Sequence, residues 1–274
     1  MHFWTSLQVL LLALSMSPEQ KARVVVVTTE RPGVFYGAAG IRFADQEGGL
    51  VKAFPTAPPT RAAADFTTPR EAFAAGAATR RALHRKSVDV DLAPVLDAPD
   101  GPLGARHFRS ADYGVAFARG LLDAGESACV KHFPGLGSAG VSTDDRPHVA
   151  AHVRDWEVAT FAAAVHAGVP CVMTSNAFYD GAPFRATISQ DTYRRLRALG
   201  FDGVAITDSL SIVRKAPVER WSRQAVRAGA DLVLFTSPAH ARRALRALQP
   251  LARAGELDEH IRRVLAFRAR AIIR

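Results

Sequence analysis

The sequence predicts an α/β fold, a (β/α)8-type TIM barrel that occupies residues 21–274 as a single domain, on two observations. Short apolar runs of strand character alternate with Ala-, Arg- and Leu-rich segments of helical spacing, and such alternation builds a parallel sheet. The apolar runs also end, one after another, in polar or charged side chains, and a barrel gathers its chemistry at the C-terminal ends of its strands. A chain of 274 residues with 48% hydrophobic content is long enough to bury such a core.

Residues 1–20 are set apart as an N-terminal apolar segment. The run Leu7 to Met16 has the length of a signal-peptide core and is too short to span a bilayer, so no stable membrane insertion is expected. No Lys or Arg precedes it, and Ala13-Leu14-Ser15 is a poor cleavage site. A signal-like segment of an exported protein and a packing helix of a cytoplasmic one therefore both stay open. Ser17-Pro18-Glu19-Gln20 has the form of a helix start, with proline in the first turn.

Val24 to Val27 reads as the first strand, and Ile41-Arg42-Phe43-Ala44, running into Asp45-Gln46-Glu47-Gly48-Gly49, as the next. Only Thr28 to Gly40 separates them, too little for the usual helix and further strand, so the first βα unit is expected to be incomplete or irregular. Val88 to Leu92 then runs into Ala93-Pro94-Val95-Leu96-Asp97, and Ala128-Cys129-Val130 into Lys131-His132-Phe133-Pro134-Gly135-Leu136-Gly137. Val169 to Met173 runs into Thr174-Ser175-Asn176, and Gly203 to Ile206 into Thr207-Asp208-Ser209-Leu210. Helical spacing is plain over Tyr193 to Leu199 and Arg242 to Leu251. Strand candidates number about seven, which also points to irregular closure.

The Lys-His stretch carries the most chemistry. On a regular strand Lys131 and His132 would point to opposite faces, but at a fraying strand end both can turn toward one ligand. Pro134 fixes its own φ, and Gly135 and Gly137 let backbone approach a bound molecule. The alternative is an ordinary βα turn with Lys131 solvated and His132 packed.

These landmarks, in this order, resemble the N-terminal barrel domain of the family 3 glycoside hydrolases, which include bacterial β-N-acetylglucosaminidases. The likeness rests on Asp45 to Gly49, Leu92 to Asp97, Lys131 to Gly137, Gly203 to Ser211 and Ala228-Gly229-Ala230-Asp231. It implies that Asp208 is the catalytic nucleophile of a retaining mechanism, attacking the anomeric carbon to form a covalent glycosyl-aspartate. It further implies that Asp45, Lys131 and His132 hold the hydroxyls of the non-reducing sugar, with Arg106 as a fainter match to a sugar-binding arginine. The family's second, α/β sandwich domain is not expected within this length.

The general acid/base is where the chain departs from the acetylglucosaminidases. Their Asp-Ser-His is absent from the loop Ser138 to His148, and Leu136 stands where their second histidine is expected. The acid/base role falls to this loop, with His148 preferred over Asp144, because imidazole gives and takes protons near neutrality. The expected activity is that of a retaining exo-glycosidase releasing terminal β-linked N-acetylhexosamine, or glucose, from cell-wall or oligosaccharide fragments. The alternative from a different class is a catalytically weak or inactive sugar-binding barrel.

The net charge of +9 comes largely from arginines in helical segments, such as Arg194, Arg195, Arg242, Arg243, Arg262 and Arg263, as solvated helix faces. A weak attraction to anionic cell-wall polymer is compatible with it. The basic residues are not interleaved with aromatics, so no nucleic-acid partner is expected. Cys129 and Cys171 read as small buried thiols of barrel strands. With no CxxC or His/Cys cluster, neither a disulfide framework, a metal site nor a cofactor is expected.

Overall fold

The computed structural model describes residues 15–37, 39–125, 128–213 and 215–272. Most of the N-terminal apolar segment, residues 1–14, lies outside them. Helix α1 (Pro18–Val24) starts as its sequence implies: Ser17 Oγ accepts from the Gln20 backbone, and Gln20 Oε1 accepts from the Ser17 backbone.

The chain then runs through β1 (Val26–Arg31), β2 (Val34–Gly37) and β3 (Ile41–Ala44) as an antiparallel meander. The interval between β1 and β3 is too short for a helical crossover, so the chain reverses at Pro32-Gly33, where Gly33 adopts φ +71°. A small hairpin, β4 (Gln46–Gly48) and β5 (Val51–Lys52), follows over Gly49.

From there helices and strands alternate. The order is α2 (Pro69–His84), β6 (Val90–Asp91), α3 (Ala111–Asp123), β7 (Cys129–Phe133), β8 (Ala150–Ala151), α4 (Asp155–His166), β9 (Cys171–Thr174) and β10 (Phe178–Tyr179). The chain ends with α5 (Gln190–Ala198), β11 (Val204–Thr207), α6 (Val218–Ala228), β12 (Val233–Phe235), α7 (Pro238–Arg253) and α8 (Asp258–Ile272).

Backbone pairing and isolated bridges connect eight of these strands one to the next. β12 pairs parallel with β1, β1 antiparallel with β2, β2 antiparallel with β3, and β3 parallel with β6. A parallel bridge from Asp91 to Ala128 carries the chain of contacts to β7, which pairs parallel with β9, and β9 with β11. A parallel bridge from Ile206 to Leu232 leads back to β12. Eight strands take part among the described residues, and β2 alone runs against the rest. The sequence reading misses β2 because four residues are too few to show a period.

The apolar interior is built from strand side chains such as Val27, Phe43, Val130, Val172, Ile206 and Phe235, all fully buried. Helices α2 and α3 approach closely enough that a β-carbon at Gly76 would collide with the Phe117 carbonyl, and one at Gly120 with the Phe73 carbonyl. The two cysteines, expected as buried thiols, are not free. Cys129 and Cys171 are joined in a disulfide, with a Cα separation of 4.4 Å, because the parallel register of β7 and β9 places them side by side although 42 residues separate them. Spacing in the sequence cannot reveal such a pairing.

Asp231, one of the landmarks, precedes β12 and acts as a buried joint. Its carboxylate accepts from Arg197 Nη2 at 2.7 Å, His260 Nδ1 and Arg263 Nη1 at 2.9 Å, and the Ala205 backbone at 2.9 Å, tying α5 and α8 to β11. These opposing charges outweigh the effect of burial and hold its carboxyl below the ordinary aspartate value.

Candidate active site

Polar side chains from three of the strand ends marked in the sequence, those at Asp45, Lys131-His132 and Asp208, meet in one pocket. It encloses about 200 Å³ and is lined by Asp45, Glu47, Arg106, Lys131, His132, Asp144 and Asp208, with Phe35, Leu92, Met173 and Leu234 among its apolar walls. Asp45 follows β3, Lys131 and His132 belong to the end of β7, and Asp208 follows β11. The register of β7 against β9 shifts between Val130 and Phe133, and the Lys131–His132 peptide is cis. Both side chains line the same pocket although they are consecutive.

The floor is a network of alternating charge. Lys131 Nζ lies 2.8 Å from Asp45 Oδ1 and 2.6 Å from Glu47 Oε1. Glu47 in turn takes a two-pronged contact from Arg106, with Nε at 2.8 Å and Nη2 at 2.9 Å, the arrangement for which a planar guanidinium is suited. Burial pushes the Glu47 carboxyl up, but the charges of Lys131 and Arg106 outweigh it and hold the group at about 2. Burial likewise pulls Lys131 down, and the Asp45 and Glu47 carboxylates more than offset this, keeping the ammonium above the ordinary lysine range. Beneath them Asp91 accepts from the Gln46 backbone at 3.0 Å, and burial pushes its carboxyl well above the aspartate range.

His132 is set by Asp97. Its Nδ1 lies 2.7 Å from Asp97 Oδ2, which leaves Nε2 as the ring nitrogen available to a ligand. Burial pushes Asp97 up, but the His132 imidazole and its hydrogen bond prevail and hold the carboxyl below its ordinary value. Glu157 Oε1 then accepts from the backbone of both Ala98 and Gly137 at 2.9 Å, joining the Asp97 loop to the Lys-His loop. Gly137 must be glycine, because a β-carbon there would collide with that of Ala98.

Asp208 donates its backbone N–H to Thr174 O at 3.0 Å and accepts from the Ser209 N–H at Oδ1, 2.6 Å away. Burial pushes its carboxyl above the ordinary aspartate value; the His132 imidazole opposes that shift and the Asp144 carboxylate adds to it.

The pocket thus brings together Asp45, Arg106, Lys131, His132, Asp144 and Asp208 from the residues singled out in the sequence. His148 is not among its lining residues. It is exposed, with its ring 4.3 Å from that of Phe178. Asp144 stands at the rim, its Oδ2 3.7 Å from Arg106 Nη1. The sequence by itself gives no role to Glu47 or Asp97, although both stand in strand-end segments that carry the family likeness. Their signal was charge at the end of a strand, the same signal that marks Asp45 and Asp208. Among the described residues no group of His, Cys, Asp or Glu is arranged to hold a metal ion, and no helix is long and apolar enough to cross a membrane.

Comparison with known proteins adds family relationships. The profile of the Glycosyl hydrolase family 3 N terminal domain matches residues 36–267. An uncharacterized secreted glycosyl hydrolase of Arthroderma benhamiae is 35% identical over 189 residues, covering 61% of this chain and 54% of the fungal protein. A beta-hexosaminidase of Stenotrophomonas maltophilia is 31% identical over 236 residues, 75% of this chain and 69% of the relative. The crystal structure of a beta-N-acetylhexosaminidase from Beutenbergia cavernae superposes with a TM-score of 0.74 at 30% identity, covering 82% of this chain and 77% of that one. The chain therefore spans about half the length of the fungal relative and over two thirds of the two bacterial ones.

Proposed function

The chain belongs to glycosyl hydrolase family 3 through that family's N-terminal domain, and we propose that it is a retaining exo-glycosidase releasing terminal β-linked N-acetylhexosamine, or glucose, from cell-wall or oligosaccharide fragments. The set of connected strands is read as a TIM barrel whose first unit is replaced by the β1–β2–β3 meander. The observation that carries the functional reading is the shared pocket, in which Asp208 stands with Asp45, Lys131, His132 and Arg106.

Asp45 and Lys131 would hold sugar hydroxyls, with Glu47 and Arg106 fixing Lys131 from behind and Asp97 presenting His132 Nε2. Asp208 attacks the anomeric carbon as the bond to the aglycone oxygen breaks, and an ester links sugar to enzyme. A group on the opposite side protonates the departing oxygen, then takes a proton from the water that cleaves the ester. That group is assigned to Asp144, which lines the pocket, in place of His148, which does not.

The test is turnover of aryl N-acetylglucosaminide against aryl glucoside, with the first-formed anomer followed by NMR. Product of retained configuration is expected. Inversion, or turnover of neither glycoside, would overturn the reading. The second reading, a sugar-binding barrel without turnover, is favoured by one observation: the loop Ser138 to His148 brings no imidazole into the pocket. Sugar binding to a protein inert toward both aryl glycosides would establish it.

A further inference from the structure

Arg185, between β10 and α5, has no part in the pocket described above, yet it is only 5% exposed. Its guanidinium carbon lies 4.5 Å from the Trp221 ring centroid and 5.1 Å from that of Phe178. Nη2 donates to the Pro147 carbonyl at 3.1 Å, while Nη1 is buried without a hydrogen-bond partner. A buried cation with an unpaired N–H is costly, and an apolar side chain would fill the same space more favourably. The cost points to a role beyond packing.

That role is suggested by what Arg185 holds. Pro147 closes the loop Ser138 to His148, and proline has a fixed φ, so anchoring its carbonyl fixes the path of the residues before it. Phe178 holds the same end: its ring packs, tilted, against that of His148, and its backbone N–H donates to Val149 O at 2.8 Å. At the other end of the segment Asp144 rides a turn in which its own N–H donates to Ser142 Oγ at 3.1 Å and that of Asp145 to Ser142 O at 3.2 Å. There the second guanidinium, Arg106, faces Asp144. Two arginines therefore grip one short segment, Arg106 through a carboxylate at the pocket and Arg185 through a backbone carbonyl outside it.

We propose that Arg185 is a positioning residue that holds the loop carrying Asp144 over Asp208, so that proton transfer depends on an arginine that touches no sugar. The proposal rests on the assignment of Asp144 as acid/base. Trp221 and Phe178 form the socket that keeps the guanidinium in place. The clamp and the nucleophile also share an electrostatic link: burial pulls the Arg185 guanidinium down, and the Asp208 carboxylate favours its charged form.

The experiment compares Arg185→Met, Arg185→Lys and Asp144→Ala with the unaltered protein on aryl glycosides of graded leaving-group pKa, with thermal melting of each. Removing a positioned general acid costs about a hundredfold or more where the leaving group is poor. Arg185→Met is expected to lose on that order with poor leaving groups and much less with activated ones. Arg185→Lys, which keeps a cationic donor for the Pro147 carbonyl, should recover part of the loss. Equal losses across all leaving groups, or none, would show that Arg185 only packs. If Asp144→Ala is selective for poor leaving groups and Arg185→Met is not, the clamp fails and the acid/base assignment stands. If Asp144→Ala is itself unselective, both fall. Should Arg185→Met not fold, Phe178→Leu, which removes one aromatic wall of the Arg185 socket, decides: selective loss supports the clamp, and uniform loss or none overturns it.

Discussion

Asp97 Oδ2 lies 2.7 Å from His132 Nδ1, while Asp97 Oδ1 accepts from the backbone N–H groups of His132 at 3.0 Å and Leu136 at 2.8 Å. One carboxylate therefore orients the imidazole and shapes the loop that follows it. Asp97→Asn keeps the volume but places an amide NH2 where an acceptor is needed. Hydrogen bonds to a charged group are worth about 1.5–3 kcal/mol, so KM should rise roughly tenfold to a hundredfold and the melting temperature should fall. Steady-state kinetics and thermal melting check both, and unchanged values would show that the contact is idle.

Asp208→Asn should retain the fold, because the Ser209 N–H still finds an acceptor in the amide oxygen. Turnover should drop by at least about a hundredfold, since an amide is a poor nucleophile. A variant that melts like the wild type yet retains a substantial fraction of its rate would displace Asp208 from that role.

Asp144→Ala and His148→Ala separate the two candidates for proton transfer. With Asp144 at the pocket rim and His148 outside it against Phe178, Asp144→Ala should lose most activity on poor leaving groups, and azide should restore the second step. His148→Ala should show a small loss without leaving-group dependence. Rates on paired good and poor substrates, with and without azide, decide; a reversal of the two patterns would return the role to His148.

Lys131 is buried between two carboxylates, so Lys131→Met does more than weaken sugar binding. It leaves Asp45 and Glu47 facing each other with only Arg106 to compensate, and breaking a buried pair costs about 3–5 kcal/mol. Chemical denaturation should show a loss of that order. A loss within about 0.5 kcal/mol, typical of surface changes, would mean that the network is solvated.

Acid stability follows from Glu47. Its carboxyl is held at about 2 against an ordinary 4.5, so its contribution to stability is present above pH 4.5 and is lost as the pH falls toward 2. A shift of that size corresponds to roughly 3 kcal/mol. Asp91, pushed up by burial, acts in the opposite sense, so the quantity to measure is the difference between wild type and Glu47→Gln. Urea titrations across this range should show the two converging as the pH falls, and curves that stay parallel would contradict the assignment.

Much of this protein is written locally in its sequence. The alternation of apolar strands with helical segments, the Ser17–Gln20 cap and the polar strand ends around Asp45, Lys131 and Asp208 need only periodicity and side-chain type to be seen. What the sequence does not disclose depends on register between distant segments. Lys131 meets Asp45 across 86 residues, and Cys129 meets Cys171 because two strands align at those positions. The antiparallel β2 was too short to carry a pattern of its own. Side-chain chemistry alone favours His148, yet the loop places Asp144 on the pocket and sends the imidazole to Phe178. Side-chain chemistry is a property of single residues and can be read one by one. Which groups share a pocket is set by strand register and loop anchoring, and those exist only once the chain has folded.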